Sequence, residues 1–303
     1  MAGDSRKVIY AALVGNTLIS ATKFLAAAIT GSSAMLSEGI HSVVDTGNQL
    51  LLLHGLKQAR KPADEDFPFG HGKEVYFWSF VVAILIFALG GGISIYEGVK
   101  HLQHPTTIAN PLINYIVLAL AIIFEGGAWY FAFTEFRKLK DGRGYIEAVQ
   151  RAKDPSMFVV LFEDSAAILG LLVALAGVLL TDITGNGMFD GAASVTIGLI
   201  LLGTAIWLAY ETKGLLIGES ASKGVVSGIR GIVAAHAHVG KINEVLTMHM
   251  GPDYILATVS ADFVDSVSSA EVEATVAALK REVAQQYPQV KKVFIEANAN
   301  KQK

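Results

Sequence analysis

His41 and Asp45 stand four residues apart in the apolar stretch SAMLSEGIHSVVDTGNQLLLLHG. Four residues is about one helical turn, so in a helix both side chains share one face. An imidazole and a carboxylate inside an apolar helix are costly unless they pair, bind an ion or face water; together they offer half a site for a divalent metal. Glu38 and Asn48 fall on the same stripe, at helical spacings of three, four and three. A second acidic point, Glu163 and Asp164, interrupts FVVLFEDSAAILG. His41, Asp45 and Asp164 from facing helices would give three of the four ligands zinc prefers, with Glu163, Glu38, Asn48 or water as the fourth. The competing reading is a hydrogen-bond network that only holds two helices together.

Membrane helices must position these groups. The chain has 303 residues, 52% of them hydrophobic and 17% charged, below the roughly 25% charge of a soluble domain. The mean hydropathy of +0.46 agrees. Six apolar segments are each long enough to span a bilayer: 8–30, 33–56, 76–99, 112–136, 157–180 and 189–216. The opening MAGDSRKVIYAALVG reads as the start of the first span rather than a cleaved signal. Lys57, Arg60, Lys61 and Lys73 lie between the second and third segments; Arg137, Lys138, Lys140, Arg143, Arg151 and Lys153 lie between the fourth and fifth. The alternate loops GSS, HLQHPTTIAN and TDITGNGMFDG carry no Lys or Arg, so the positive-inside rule puts both termini in the cytosol.

After Gly218 the chain turns too polar for another span. The expected division is a transmembrane domain over 1–218 and a cytosolic domain over 219–303. GVVSGIRGIVAAHA reads as a helix; KINEVLTMHM and YILATVSADFV read as strands joined at Gly251-Pro252-Asp253. Ile255, Ala257, Val259, Ala261 and Phe263 alternate with polar residues, which gives the second strand one apolar face. Ser268 to Glu271 resembles a capping box before a helix over 270–287, and VKKVFIEA closes as a strand. The fold class expected is a six-helix membrane domain followed by a small αββαβ, ferredoxin-like domain.

Lys23 in the first span is expected to pair with a carboxylate; Glu125 reads as either a proton-relay group or an ion-pair partner. Glu97 and Asp190, near span ends, are expected to be solvated. Cysteine is absent and the net charge is −3, so disulfides, thiolate metal sites and a nucleic-acid partner are not expected. Nitrogen and oxygen ligands favour zinc, with cobalt, nickel, iron or manganese as alternatives. The competing classes are an intramembrane metalloenzyme, for which no HExxH pattern is present, a proton-coupled carrier of an organic solute, whose site would normally need a larger and more varied lining, and a metal-independent structural membrane protein.

Four features together resemble the cation diffusion facilitators, the family that includes the solute carrier 30 zinc transporters. They are His41-x-x-x-Asp45, the segment Asp66-Phe67-Pro68-Phe69-Gly70-His71-Gly72-Lys73-Glu74 with its FGHGK signature, Asp164, and the six-span plan with an αββαβ tail. The resemblance implies a non-enzymatic, proton-coupled exporter of divalent metal, working as a homodimer, with metal ligands His41, Asp45 and Asp164. It implies no cofactor beyond the transported ion. The family commonly has a ligand four residues before Asp164, where Val160 stands here. The Glu163-Asp164-Ser165 variant resembles the zinc-transporter-nine-like branch. An auxiliary cytosolic site would use Asp64, Asp66 and His71, but Phe67 occupies a position where the family often has His. In the C-terminal domain Ser260, Glu296 and Asn298 stand at family metal positions, while His236, His238 and His249 are scattered. The expected role of this domain is dimerisation. A bacterial inner membrane is the expected location, with an organelle membrane as the alternative.

Overall fold

The structure, a computed structural model, describes residues 2–139 and 155–298. Long helices dominate its first part: α1 (Ala2–Thr30), α2 (Ser33–Ala59), α3 (Glu74–Leu85), a π-helical segment (Ile86–Gly92), α4 (Ile93–Gln103), α5 (Pro111–Leu139), α6 (Pro155–Thr184) and α7 (Met188–Ile217). Among the described residues, four helical stretches are long and apolar enough to cross a membrane: Glu74–Gln103, Pro111–Thr134, Phe158–Thr184 and Met188–Ile217. The first of these is one continuous run from α3 through the π turn into α4. α2 is 27 residues long but does not join them, because its polar stripe lowers its apolarity. The cationic segment on which the orientation partly rests lies, from residue 140 on, outside the described residues.

The described chain falls into two compact units. The first holds 2–55, 77–139 and 155–212; the second holds 56–76 and 213–298. In the helical unit α5 runs along α6 and α1 packs on α5. The turn between α1 and α2 passes through Gly31 at φ 73°, left-handed backbone that glycine adopts without a Cβ penalty.

Where α4 meets α7, small residues let the backbones touch. A Cβ on Gly98 would stand 2.6 Å from the Val195 amide nitrogen and 2.9 Å from the Gly191 carbonyl; one on Gly198 would stand 2.9 Å from the Gly91 carbonyl. Close approach through glycine is how membrane helices gain packing contacts without a hydrophobic drive between them. Backbone cannot step aside like a side chain, so Gly98→Leu should exceed the roughly 1–3 kcal/mol of ordinary overpacking. The expected outcome is loss of monodisperse protein in detergent, while Gly203→Ala, with open space at its Cβ, melts like the parent. A normal melt for Gly98→Leu would show that the two helices do not meet there.

Asp190 corrects one expectation. It is fully buried rather than solvated. Its carboxylate accepts from the Ser32 hydroxyl, the Ser33 amide and hydroxyl and, at 3.4 Å, the Ala34 amide. The first turn of α2 leaves amide donors without intrahelical partners, and a carboxylate from α7 satisfies them. Sequence position near a span end gave no sign of this, because the partner lies 157 residues away.

The second unit contains α8 (Lys223–Ala234), β1 (Val239–Gly251), β2 (Tyr254–Phe263), α9 (Ser269–Gln286) and β3 (Val290–Ala297). The sheet order is β1-β2-β3, with β1 antiparallel and β3 parallel to β2. The central strand behaves as its alternation predicts: Ile255, Ala257, Val259 and Ala261 are buried, in one core with Ile229 and Val233 of α8 and Leu279 and Val283 of α9. Ser268 and Glu271 form the expected reciprocal capping box.

Candidate metal site

α2 carries its polar stripe into the interior of the helical unit. Glu38, His41 and Asn48 are buried, and Asp45 is 17% exposed. The His41 Nδ1 lies 3.3 Å from Asp45 Oδ1 across one turn, yet neither imidazole nitrogen has a hydrogen-bond partner among the described residues. Buried polar atoms are rarely left so, and a cation held by the imidazole is one way to satisfy them.

Asp45 opens into a cavity of about 320 Å³. Asp164 from α6 and Glu125 from α5 line it too, with Asn16, Ser42 and Gln49. Three carboxylates from three helices thus face one polar space inside a membrane-type bundle. Among the described residues no three His, Asp or Glu side chains converge closely enough to hold an ion as they stand.

The remaining stripe residues are engaged elsewhere. Asn48 donates its amide to Glu163 Oε1, so Glu163 faces α2 despite the roughly 100° that separates adjacent residues on a helix. Glu38 is held by Lys23: its Oε2 lies 3.1 Å from the Lys23 Nζ, which also donates to Ser42 Oγ at 2.8 Å and to Glu125 Oε1 at 2.8 Å. The expected pairing of Lys23 is therefore present, with two carboxylates at once, and Glu125 is one of them. Glu38 Oε1 sits against Gly170, where a Cβ would overlap it. Val160 is half-buried on α6.

In the second unit the FGHGK segment forms a tight loop. His71 Nε2 meets Asp64 Oδ2 at 2.8 Å. That hydrogen bond, with one from the Phe67 amide, holds the Asp64 carboxyl below the usual carboxylate range. Phe67 packs against His71 with ring centroids 4.5 Å apart and planes tilted by 42°, and its phenyl ring offers no ligand atom. Asp66 is exposed. In the C-terminal region His238 is bonded to Thr275 Oγ1 through Nδ1 at 2.8 Å, and His249 is buried.

A helical, membrane-type protein with a carboxylate-lined cavity beside a buried imidazole belongs to the class that handles cations within a bilayer. Comparison with known proteins gives the particular family. The cation efflux transmembrane domain matches residues 9–217, and the chain belongs to that family, the cation diffusion facilitators. It is 34% identical over 259 residues to the human protein described as a mitochondrial proton-coupled zinc antiporter, SLC30A9. That match covers 85% of this chain and 46% of the relative. Metal tolerance protein C4 of Arabidopsis thaliana is 29% identical, over 86% of this chain and 57% of that protein. The manganese efflux system protein MneP of Bacillus subtilis is 21% identical, over 97% of this chain and 96% of its own length. The chain thus spans about half the length of the SLC30A9 proteins it matches. Family membership sets aside the metalloenzyme alternative.

Proposed function

We propose that the protein is a proton-coupled carrier that exports a divalent metal cation from the cytosol, with zinc as its first substrate. The observation that carries this reading is the cavity shared by Asp45 and Asp164, with the His41 imidazole next to Asp45 and making no hydrogen bond among the described residues. His41, Asp45 and Asp164 are the proposed ligands. Glu163 is the proposed fourth in place of Val160, because it already faces α2 through Asn48. Glu38 is tied to Lys23 and Asn48 to Glu163, which makes them supports rather than ligands.

Binding needs a neutral imidazole and ionised carboxylates, so metal and protons compete for the same atoms. A cavity keeps Asp45 apart from Asp164; closing α2 on α6 around the ion would draw the ligands together, and opening to the far side would let protons displace it. Six spans with both termini cytosolic, a ferredoxin-like C-terminal domain and a homodimer complete the proposal, and no resident cofactor enters it. The proposed location is a bacterial inner membrane, on the likeness to the Bacillus protein over nearly both full lengths. Two relatives described by different metals, zinc and manganese, make manganese the second substrate to test, followed by iron, cobalt and nickel.

Purified protein in proteoliposomes should accumulate zinc when the lumen is acid and the outside alkaline, and should acidify the outside as zinc enters. Metal flux that ignores an imposed pH gradient would refute proton coupling. Zinc flux slower than manganese flux would reverse the order of substrates.

A further inference from the structure

A second cavity, of about 490 Å³, lies wholly within the second unit, between the loop after α2 and the β1–β2 turn. Arg60, Lys61 and Lys291 line it, with His71 and Tyr254 and one carboxylate, Asp253. Three cationic side chains therefore line the cavity with one acid. Among the described residues none of the three makes an ion pair. His71 Nε2 is already taken by Asp64.

The cavity is framed by backbone. A Cβ on Gly72 would run into the Met250 carbonyl, and one on Gly251 would stand 3.1 Å from the Gly72 Cα. The two glycines let the loop dock on the turn, which brings Arg60 and Lys61 to Lys291 from 230 positions further along the chain.

We propose that this cavity is a phosphate-recognition site, taking the phosphoryl group of an anionic phospholipid or of a soluble phosphate compound. Three cations against one carboxylate leave a net positive lining, which repels a metal cation and favours a polyvalent anion. A guanidinium offers a planar fork to phosphoryl oxygens, and two ammonium groups add point charges around it. The Tyr254 phenol, which lines the same cavity, adds a hydroxyl that can donate. Arg60 follows directly on Ala59, the last residue of α2. A cluster of basic residues just cytosolic of a span is placed to meet lipid headgroups, whereas the cavity's volume of about 490 Å³ admits a free phosphate equally, so the two sources need separate probes.

The test uses the full chain, purified free of metal. Inorganic pyrophosphate is titrated calorimetrically against the protein in neutral detergent. In parallel, the thermal midpoint is measured in nanodiscs of phosphatidylcholine with and without phosphatidylglycerol. Arg60→Gln/Lys291→Gln is compared with Lys280→Gln/Arg281→Gln, which removes equal charge from exposed positions on α9. The expected result is binding or stabilisation by at least one probe, weakened at least about tenfold by the first pair and little by the second. A pyrophosphate response alone assigns a soluble ligand, and a phosphatidylglycerol response alone assigns a headgroup. Absence of both responses, or equal loss in the two double variants, overturns the proposal.

Discussion

Asp45→Ala and Asp164→Ala should each abolish metal-driven proton release in proteoliposomes while leaving a monodisperse, folded protein. Changing groups that only support a metal ligand typically costs about 10–100-fold in affinity or activity. Loss of a ligand itself should exceed that range. Folding should survive because both carboxylates border the cavity rather than the packed interior, so alanine there removes a polar group without opening a void among apolar side chains. Glu163→Gln separates the two candidates on α6. Gln retains an oxygen to accept from Asn48, as Glu163 now does, but it removes a charge. A large loss of zinc affinity in Glu163→Gln makes it the fourth ligand; wild-type affinity leaves that place to water. Val160→Asp makes the complementary point, by setting an acid one turn before Asp164, as the family commonly has. Tighter zinc binding in that variant, together with lost manganese transport, would tie the substituted position to metal choice. Wild-type transport by Asp45→Ala or Asp164→Ala would remove the site from this cavity altogether.

The parts of this structure that were legible in the sequence are those written locally. The stripe from Glu38 to Asn48 could be read from helical spacing alone, and its burial follows. The alternation in β2 and the Ser268–Glu271 capping box are equally short-range, and both appear where expected. Long-range pairings were not legible. Lys23 was visibly in need of an anion, but its two partners lie 15 and 102 residues away, and no local pattern selects them from the other acids. The burial of Asp190 is hidden from the sequence for the same reason: its partners are the amides and hydroxyls at the start of α2. The π turn at Ile86–Gly92 also left no periodic trace, since Gly90, Gly91 and Gly92 carry no side chains to mark a face. Arg60 and Lys291 stand 231 positions apart in the chain, and no local pattern links them to the one cavity they line beside the β1–β2 turn.

The second large effect concerns Lys23, whose replacement by methionine should cost about 3–5 kcal/mol, the range seen when one partner of a buried ion pair is removed. Lys23 and Glu38 are fully buried and Glu125 is 20% exposed. The ammonium lies between two carboxylates and also donates to Ser42, so its removal strips both acids of their cation in a region of low dielectric. The two acids are not equally stranded. Glu125 borders the cavity and can be solvated there. Glu38 is fully buried, against Gly170. The expected order of thermal midpoints therefore places Lys23→Met lowest, Lys23→Met/Glu125→Gln slightly above it, and Lys23→Met/Glu38→Gln well above both. Lys23→Met/Glu38→Gln/Glu125→Gln should approach the parent, because neutralising all three groups removes the charge imbalance as well as the ion pairs. A shared mechanism with transport would appear as a different ranking in the flux assay, where Glu125 faces the same cavity as Asp45 and Asp164. If rescue follows Glu125→Gln instead of Glu38→Gln, solvation at the cavity is not what distinguishes the two acids. If Lys23→Met alone melts like the parent, the pairs contribute no net stability and the triad's place in the protein must be sought in the movement of charge across α1, α2 and α5.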